Sequence, residues 1–155
     1  MWGSPCGTGL GSWPGLDIDE ACRANSELVP DVVYLPELPA RGVGADLIGR
    51  TASLLPGMSV DLQPSGWRVV PRPGVDAQRA RALLNRDLDA LEIALYGFSG
   101  VVKVQVAGPW TLAAGLYSQR GDRLLADRGA RSDIAASLAD AAGKEADIVT
   151  TMGRD

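Results

Sequence analysis

The segment 7–15 has the composition of a loop that contacts a ligand. It reads Gly-Thr-Gly-Leu-Gly-Ser-Trp-Pro-Gly. Because glycine has no Cβ, backbone N–H groups in such a segment can come close to a carboxylate or a phosphate. A dinucleotide-binding fingerprint would need a strand before the glycines and a helix after them, and Pro14 interrupts that helix entry. A flexible N-terminus with a tight turn is the structural alternative.

Glu37 stands between two prolines at the predicted end of a strand. The prolines restrict the local backbone to extended conformations and so limit where the carboxylate can lie. We infer that this carboxylate can accept hydrogen bonds from the ammonium group of a substrate. The alternative is an ion pair with Arg41 or Arg50, in which case Glu37 has a structural role only.

Trp67 and Arg68 form a third candidate site. An indole can stack on a flat heterocycle, and a guanidinium beside it can pair with an anion. Adjacent residues of these two types would therefore suit a ligand that carries both a ring and a negative charge. The structural alternative is a core residue, Trp67, next to a surface cation, Arg68.

The pair Gly108-Pro109 lies at the junction of a predicted strand and a predicted helix. A helix N-terminus at the carboxyl end of a strand suits an anion, because the first N–H groups of the helix have no partner within it. The alternative is a plain turn, in which the glycine and the proline only shape the corner.

Short apolar segments between turn residues predict strands, and longer amphipathic segments predict helices. The predicted strands are 8–13, 32–35, either 60–63 or 67–70, and 101–107. The predicted helices run from Asp17 or Asp19 to Leu28, over 46–55, over 76–96 with Asp76 as N-cap, from Pro109, and from about Ser132. One apolar stripe on the third helix comprises Ala80, Leu84, Leu88, Leu91 and Leu95. This alternation indicates parallel strands joined by right-handed crossovers, and hence an α/β fold.

The composition excludes several classes of function. A formal net charge of −4 over 155 residues argues against a general nucleic-acid-binding surface. No apolar run approaches the roughly 20 residues that cross a bilayer, and no signal peptide is recognisable, so we expect a cytoplasmic protein with one domain. The sequence contains no histidine, which excludes a Ser-His-Asp triad and any histidine-containing metal site within it. Cys6 and Cys22 are too few for a closed zinc site, and Cys22 is expected to be a buried apolar residue.

Four segments, in their order and spacing, resemble the catalytic domain of cobalamin-independent methionine synthase, and more closely its short actinobacterial relatives. They are 10–14, 35–39, 63–68 and 104–112. The resemblance covers about residues 7–140. It implies a (β/α)₈ barrel, a fold shared with uroporphyrinogen decarboxylase. This chain would form the N-terminal half of the barrel, with about four parallel strands and their helices.

The resemblance also implies an activity and the residues that serve it. The reaction is transfer of a methyl group from methyl-tetrahydrofolate to the thiol of homocysteine, which a zinc ion holds as thiolate. Leu10, Gly11 and Ser12 match the family's contact with the homocysteine backbone. Glu37 matches a glutamate that also contacts homocysteine, and Arg68 matches an arginine near the folate.

The family's zinc ligands and catalytic histidine lie in the second half of the barrel, beyond the part that resembles this chain. We therefore expect the chain alone to lack methyl-transfer activity. Residues 1–6 are predicted to be a flexible start, and 143–155 a divergent tail explained by a frameshift, an early stop or a split gene. Unpaired outer strands predict self-association or pairing with a separate C-terminal half. A non-catalytic remnant or interaction module is the alternative function, and a decarboxylase relative of the same superfamily is a further one.

Overall fold

The computed structural model describes residues 6–151, which form a mixed α/β fold. Its α-helices are α1 (Ile18–Leu28), α2 (Leu47–Ala52), α3 (Val75–Ala94), α4 (Pro109–Gly115) and α5 (Arg128–Thr151). Its strands are β1 (Val32–Tyr34), β2 (Val60–Gln63), β3 (Gly66–Val69) and β4 (Val101–Lys103). Single 3₁₀ turns occur at Pro39–Arg41 and Leu124–Ala126. Residues 1–5 and 152–155, parts of the predicted flexible start and divergent tail, lie outside the described residues.

Strands β1 and β4 form a two-stranded parallel sheet. Val32 is opposite Val101 and Tyr34 is opposite Lys103, so the two strands lie side by side and pair over their whole length. All three residues of β1 are buried, as expected of a parallel strand with packing on both faces. The prediction of parallel apolar strands is confirmed for these two segments, although β4 is shorter than the predicted 101–107.

The prediction of a third parallel strand is wrong. Its two candidate segments both form strands, β2 and β3, and they pair with each other as an antiparallel hairpin. Gln63 is opposite Gly66, so only Pro64 and Ser65 lie between the strands, and so short a connection permits an antiparallel pair but no helical crossover. The prediction of a strand over 8–13 is also wrong, because this segment makes only an isolated bridge, at Ser12.

All five predicted helices are present, and side-chain caps explain two of their starts. Asp17 accepts hydrogen bonds from two N–H groups at the start of α1, and Asp46 accepts one at the start of α2. Pro109 occupies the first turn of α4, as predicted. Two details are wrong: Gly74 rather than Asp76 caps α3, and α5 begins at Arg128, before Ser132. Helix α5 continues to Thr151, through much of the segment predicted to be a divergent tail.

The core consists of two apolar clusters. One packs α1 and β1 against α3, and the predicted leucine stripe of α3 is buried there or against the neighbouring cluster. The second packs the β2–β3 hairpin against α4 and α5, and it contains the side chain of Trp67. The structural alternative for Trp67, a core residue, is therefore confirmed. None of the described helices is both long enough and apolar enough to span a lipid bilayer.

Candidate functional site

The backbone brings Ser12 and Glu37 side by side in a parallel bridge. The Glu37 N–H donates to the Gly11 carbonyl oxygen at 2.9 Å, and the Trp13 N–H donates to the Glu37 carbonyl oxygen at 2.7 Å. A further bond holds the start of the segment, since the Thr8 hydroxyl donates to the Val32 carbonyl oxygen at 2.8 Å. The segment 8–13 thus runs parallel to β1 and places two of the predicted site residues together.

Gly11 has a backbone and a setting that require glycine. Its φ is +136°, a conformation that L side chains rarely adopt. A Cβ at this position would lie 2.7 Å from Nε2 of Gln105, which is too close for an ordinary contact. The group that approaches the Gly11 backbone is the amide of Gln105, and the close approach to a ligand stays a prediction.

The carboxylate of Glu37 is buried without an ion-pair partner among the described residues. Glu37 is only 2 % exposed to solvent. Arg41 donates to both carboxylate oxygens of Asp87, at 2.8 and 2.6 Å, and Arg50 donates to Oδ2 of Asp87 at 2.5 Å. Because both arginines bind Asp87, the structural alternative for Glu37, an ion pair with either arginine, does not form. Sequence reasoning missed Asp87, whose acidic side chain occupies a buried position on α3.

Burial raises the pKa of the Glu37 carboxyl above its usual value, while the charge of Arg50 and the side chain of Gln105 oppose the shift. Oε1 of Glu37 has no hydrogen-bond partner within the described structure. A buried acceptor that lacks a donor is uncommon in folded proteins, and it indicates where a cationic or N–H donor of a ligand would be favourable.

Two polar side chains complete the surroundings of Glu37: Lys103, the last residue of β4, and Gln105, two residues after it. Lys103, at the end of β4, donates to the Gly9 carbonyl oxygen. Gln105 donates from Nε2 to the Leu35 carbonyl oxygen at 2.6 Å. Sequence reasoning missed both residues as site components. The available signal was their alternation with the valines of 101–106, which directs polar side chains to one face of the strand.

The structure leaves Leu10 and Arg68 apart from this pair. Leu10 is 96 % exposed, so the described residues give it no packing partner that would fix its side chain. Arg68 lies on β3, and its side chain donates to the Ser65 hydroxyl at 3.3 Å. No hydrogen bond or bridge of the described residues joins Arg68 to Ser12 or Glu37. Of the five predicted site residues, the structure brings together Gly11, Ser12 and Glu37.

Gly108 and Pro109 form the turn that leads into α4, in agreement with the structural alternative. Gly108 is the N-cap residue and Pro109 is in the first turn, but α4 has only seven residues. The preceding N–H, that of Ala107, donates to the Thr51 hydroxyl at 2.9 Å and is therefore already satisfied inside the protein. Nothing in this geometry indicates an anion site.

The described residues do not form a zinc site. Within residues 6–151, no three carboxylate, thiol or imidazole side chains are grouped so that they could hold a metal ion. Cys22 is buried, as predicted, and burial raises its pKa to about 12, so its sulfur is a protonated thiol at neutral pH. Cys6 is exposed and stands alone in sequence.

Comparisons of the chain with protein-family models, with curated proteins and with solved structures found no match.

Proposed function

We propose that this chain is the amino-acid-binding part of a cytoplasmic methyltransferase barrel similar to cobalamin-independent methionine synthase. The reaction would transfer a methyl group from methyl-tetrahydrofolate to homocysteine. The observation that carries the proposal is the Ser12–Glu37 bridge, in which a buried carboxylate without an ion-pair partner lies beside a glycine-rich segment. This is the pair of segments that the resemblance assigns to homocysteine.

In this proposal the residues of the bridge hold the amino-acid end of homocysteine. The carboxylate of Glu37 accepts hydrogen bonds from the ammonium group, which also supplies the ion-pair partner that this carboxylate lacks among the described residues. Ser12 is exposed, and its hydroxyl makes no hydrogen bond with the described residues, so it is free to donate to the substrate carboxylate. Gly11 keeps the backbone close to Gln105, while Leu10 and Arg68 would contact substrate only in a larger barrel.

The proposed barrel would contain β1 and β4 as neighbouring parallel strands, with the segment 8–13 bridged to Glu37 beside them, and the β2–β3 hairpin would be an excursion between β1 and β4. The family's zinc chemistry finds no ligands here, so this chain would have no part in activating the homocysteine thiol. Its contribution is binding and orientation, and methyl transfer would need residues outside this chain.

Binding of L-homocysteine to the purified chain tests the proposal, with NMR shifts of the Glu37 and Trp13 amide signals as the readout. We expect saturable binding by the chain, loss of binding in Glu37→Gln, and weaker binding in Ser12→Ala. The matched control is Glu27→Gln, which removes an exposed carboxylate from α1. Equal affinity in Glu37→Gln and the unmodified chain would falsify the proposed role, as would methyl transfer catalysed by the zinc-loaded chain alone.

The second candidate function is a non-catalytic half-barrel that binds a separate C-terminal half. The observation that favours it is the outer edge of β4, which pairs with β1 on one side and with no other described strand. Val101 is 45 % exposed at this edge. Beside the edge lies a groove of about 360 Å³ with an apolar lining that includes Leu95, Phe98, Val102, Val104, Ala146 and Val149.

Hydrogen exchange distinguishes this second function from the first. An incoming parallel strand would pair with the free N–H groups of β4 and slow their exchange. We expect protection of 101–106 when a separately expressed C-terminal half-barrel of the family is added, and loss of that protection in Val102→Asp. Protection that rises with the concentration of this chain alone would instead indicate self-association through the same edge.

A further inference from the structure

The β2–β3 hairpin continues into a small sheet through Tyr117. The Tyr117 N–H donates to the Trp67 carbonyl oxygen at 2.9 Å, and its carbonyl oxygen accepts from the Val69 N–H at 2.8 Å. Tyr117 is the bridge partner of Arg68 on one side and of Arg123 on the other. Residues directly opposite each other across strands project from the same face. Arg68, Tyr117 and Arg123 therefore form one row, called here the Arg–Tyr–Arg row. Asp61 is opposite Arg68 on the other side, and its Oδ1 accepts a hydrogen bond from the Asp76 N–H at 3.2 Å.

Both arginines of the row lack a carboxylate partner within the described part of the chain. The guanidinium of Arg123 stacks over the Tyr117 ring at 3.9 Å from its centroid, and its Nη1 donates to the Gly115 carbonyl oxygen at 3.2 Å. Arg68 donates from Nη2 to the Ser65 hydroxyl, but its Nε is buried and has no acceptor. A buried N–H without an acceptor indicates that a partner is missing.

The row adjoins a cleft of about 800 Å³ formed by the loop 118–128. Arg123 lines this cleft together with two further arginines and two aspartates, so the side chains that line the cleft carry a net charge of +1. Arg68 reaches the same loop, because its Nη2 lies 3.6 Å from where a Cβ of Gly121 would stand. Gly121 has a φ of +99°, a conformation that favours glycine. Because glycine has no side chain, the space beside Arg68 is open.

We propose that the Arg–Tyr–Arg row binds an oxyanion, the phosphate or carboxylate group of a small ligand. A guanidinium that stacks on a ring keeps its edge N–H groups free, and these match the oxygen spacing of both anions. Arg68 offers its unpartnered Nε–H, and Arg123 offers the N–H groups that Gly115 does not use. The inference shares Arg68 with the proposed function but requires neither homocysteine binding nor methyl transfer.

Titration of the full ¹⁵N-labelled chain tests this site through the Nε–H signals of Arg68 and Arg123. One arm uses inorganic phosphate and the other uses glutarate, a dicarboxylate, each at constant ionic strength. We expect both signals to shift with one common Kd in at least one arm, and the arm with the lower Kd identifies the anion. Arg123→Gln and Arg68→Gln are each expected to raise that Kd about tenfold.

Two further variants separate a specific site from general charge. Arg68→Lys keeps the charge but removes Nε–H, so it is also expected to weaken binding. Arg72→Gln removes an exposed charge close in sequence to the hairpin, and it is expected to change the Kd by less than about twofold. Linear shifts without saturation in both arms, or equal weakening by Arg72→Gln, would overturn the proposal.

Discussion

Nη2 of Arg50 lies 2.5 Å from Oδ2 of Asp87, so among the described residues this arginine forms its ion pair with Asp87 and none with Glu37. The same Nη2 also donates to the Pro36 carbonyl oxygen at 3.0 Å, immediately before Glu37 in the chain. The buried aspartate on α3 is thus the ion-pair partner of both Arg41 and Arg50, although the charge of Arg50 still acts on Glu37. The candidate site depends on this arrangement, because it leaves a buried carboxylate available to a ligand.

Replacing Asp87 with alanine should strongly destabilise the protein. Arg50 would remain buried with its charge uncompensated, and loss of one member of a buried ion pair typically costs about 3–5 kcal/mol. The measurement is the free energy of unfolding in urea. Asp89→Ala is the control, since Asp89 is exposed on the same helix, and a change below about 0.5 kcal/mol is expected there. Equal losses of unfolding free energy in both variants would show that the effect comes from substitution in helix α3 and not from the broken ion pair.

Gly11→Ala should release the segment 8–13 from Glu37. The positive φ and the close approach to Gln105 together impose a strain of about 1–3 kcal/mol on any side chain here. Amide hydrogen exchange at Trp13 and Glu37 should therefore quicken about tenfold or more. Gly7→Ala is the control, because Gly7 has no neighbour within 4 Å of a Cβ. Unchanged exchange in Gly11→Ala would contradict the strain argument.

The raised pKa of Glu37 predicts a specific pH dependence of stability. A carboxyl with a raised pKa holds its proton more tightly in the folded state, so its contribution to stability is present at low pH. That contribution is lost as pH rises from the usual value near 4.5 through the higher folded pKa. Urea unfolding over this range should show a steeper decline for the unmodified chain than for Glu37→Gln. Identical slopes in the two proteins would contradict the shift, and Glu27→Gln serves as control.

The two cysteines should differ sharply in reactivity. Cys6 is exposed, whereas Cys22 is buried with its pKa raised to about 12. A thiol reagent added to the native protein at neutral pH should therefore modify Cys6 quickly and Cys22 only after denaturation. Cys6→Ser should lose the fast phase and keep the slow one. Fast labelling of Cys6→Ser would show that Cys22 is accessible.

Local sequence signals predicted much of the secondary structure. The Asp17 cap and the leucine spacing of α3 act within a few residues, so α1 and α3 could be predicted from them. The β2–β3 hairpin was missed because its two segments were treated as alternatives, although a two-residue connection is itself a hairpin signal. The strand predicted over 8–13 does not form, because only a single bridge joins this segment to its neighbour.

The candidate site could be predicted only in part. Proline-flanked Glu37 and glycine-rich 8–13 were recognisable by type, and their proximity follows from parallel packing of the two segments. The burial of Glu37 without an ion pair could not be predicted, because it depends on Asp87, which lies 37 residues from Arg50. The row that joins Arg68 to Arg123 also depends on long-range pairing through Tyr117, which no local pattern indicates.

Among the described residues, the segment 8–13 is held beside Glu37 by two main-chain hydrogen bonds, and this has a thermodynamic consequence. A ligand that touches both Ser12 and Glu37 can do so only while this leading segment is docked, so its binding energy is coupled to docking. Docking of the segment also packs Trp13 against the apolar cluster of α1, β1 and α3. Affinity at this site would then vary with anything that shifts the docking equilibrium, including temperature and extensions fused ahead of residue 8.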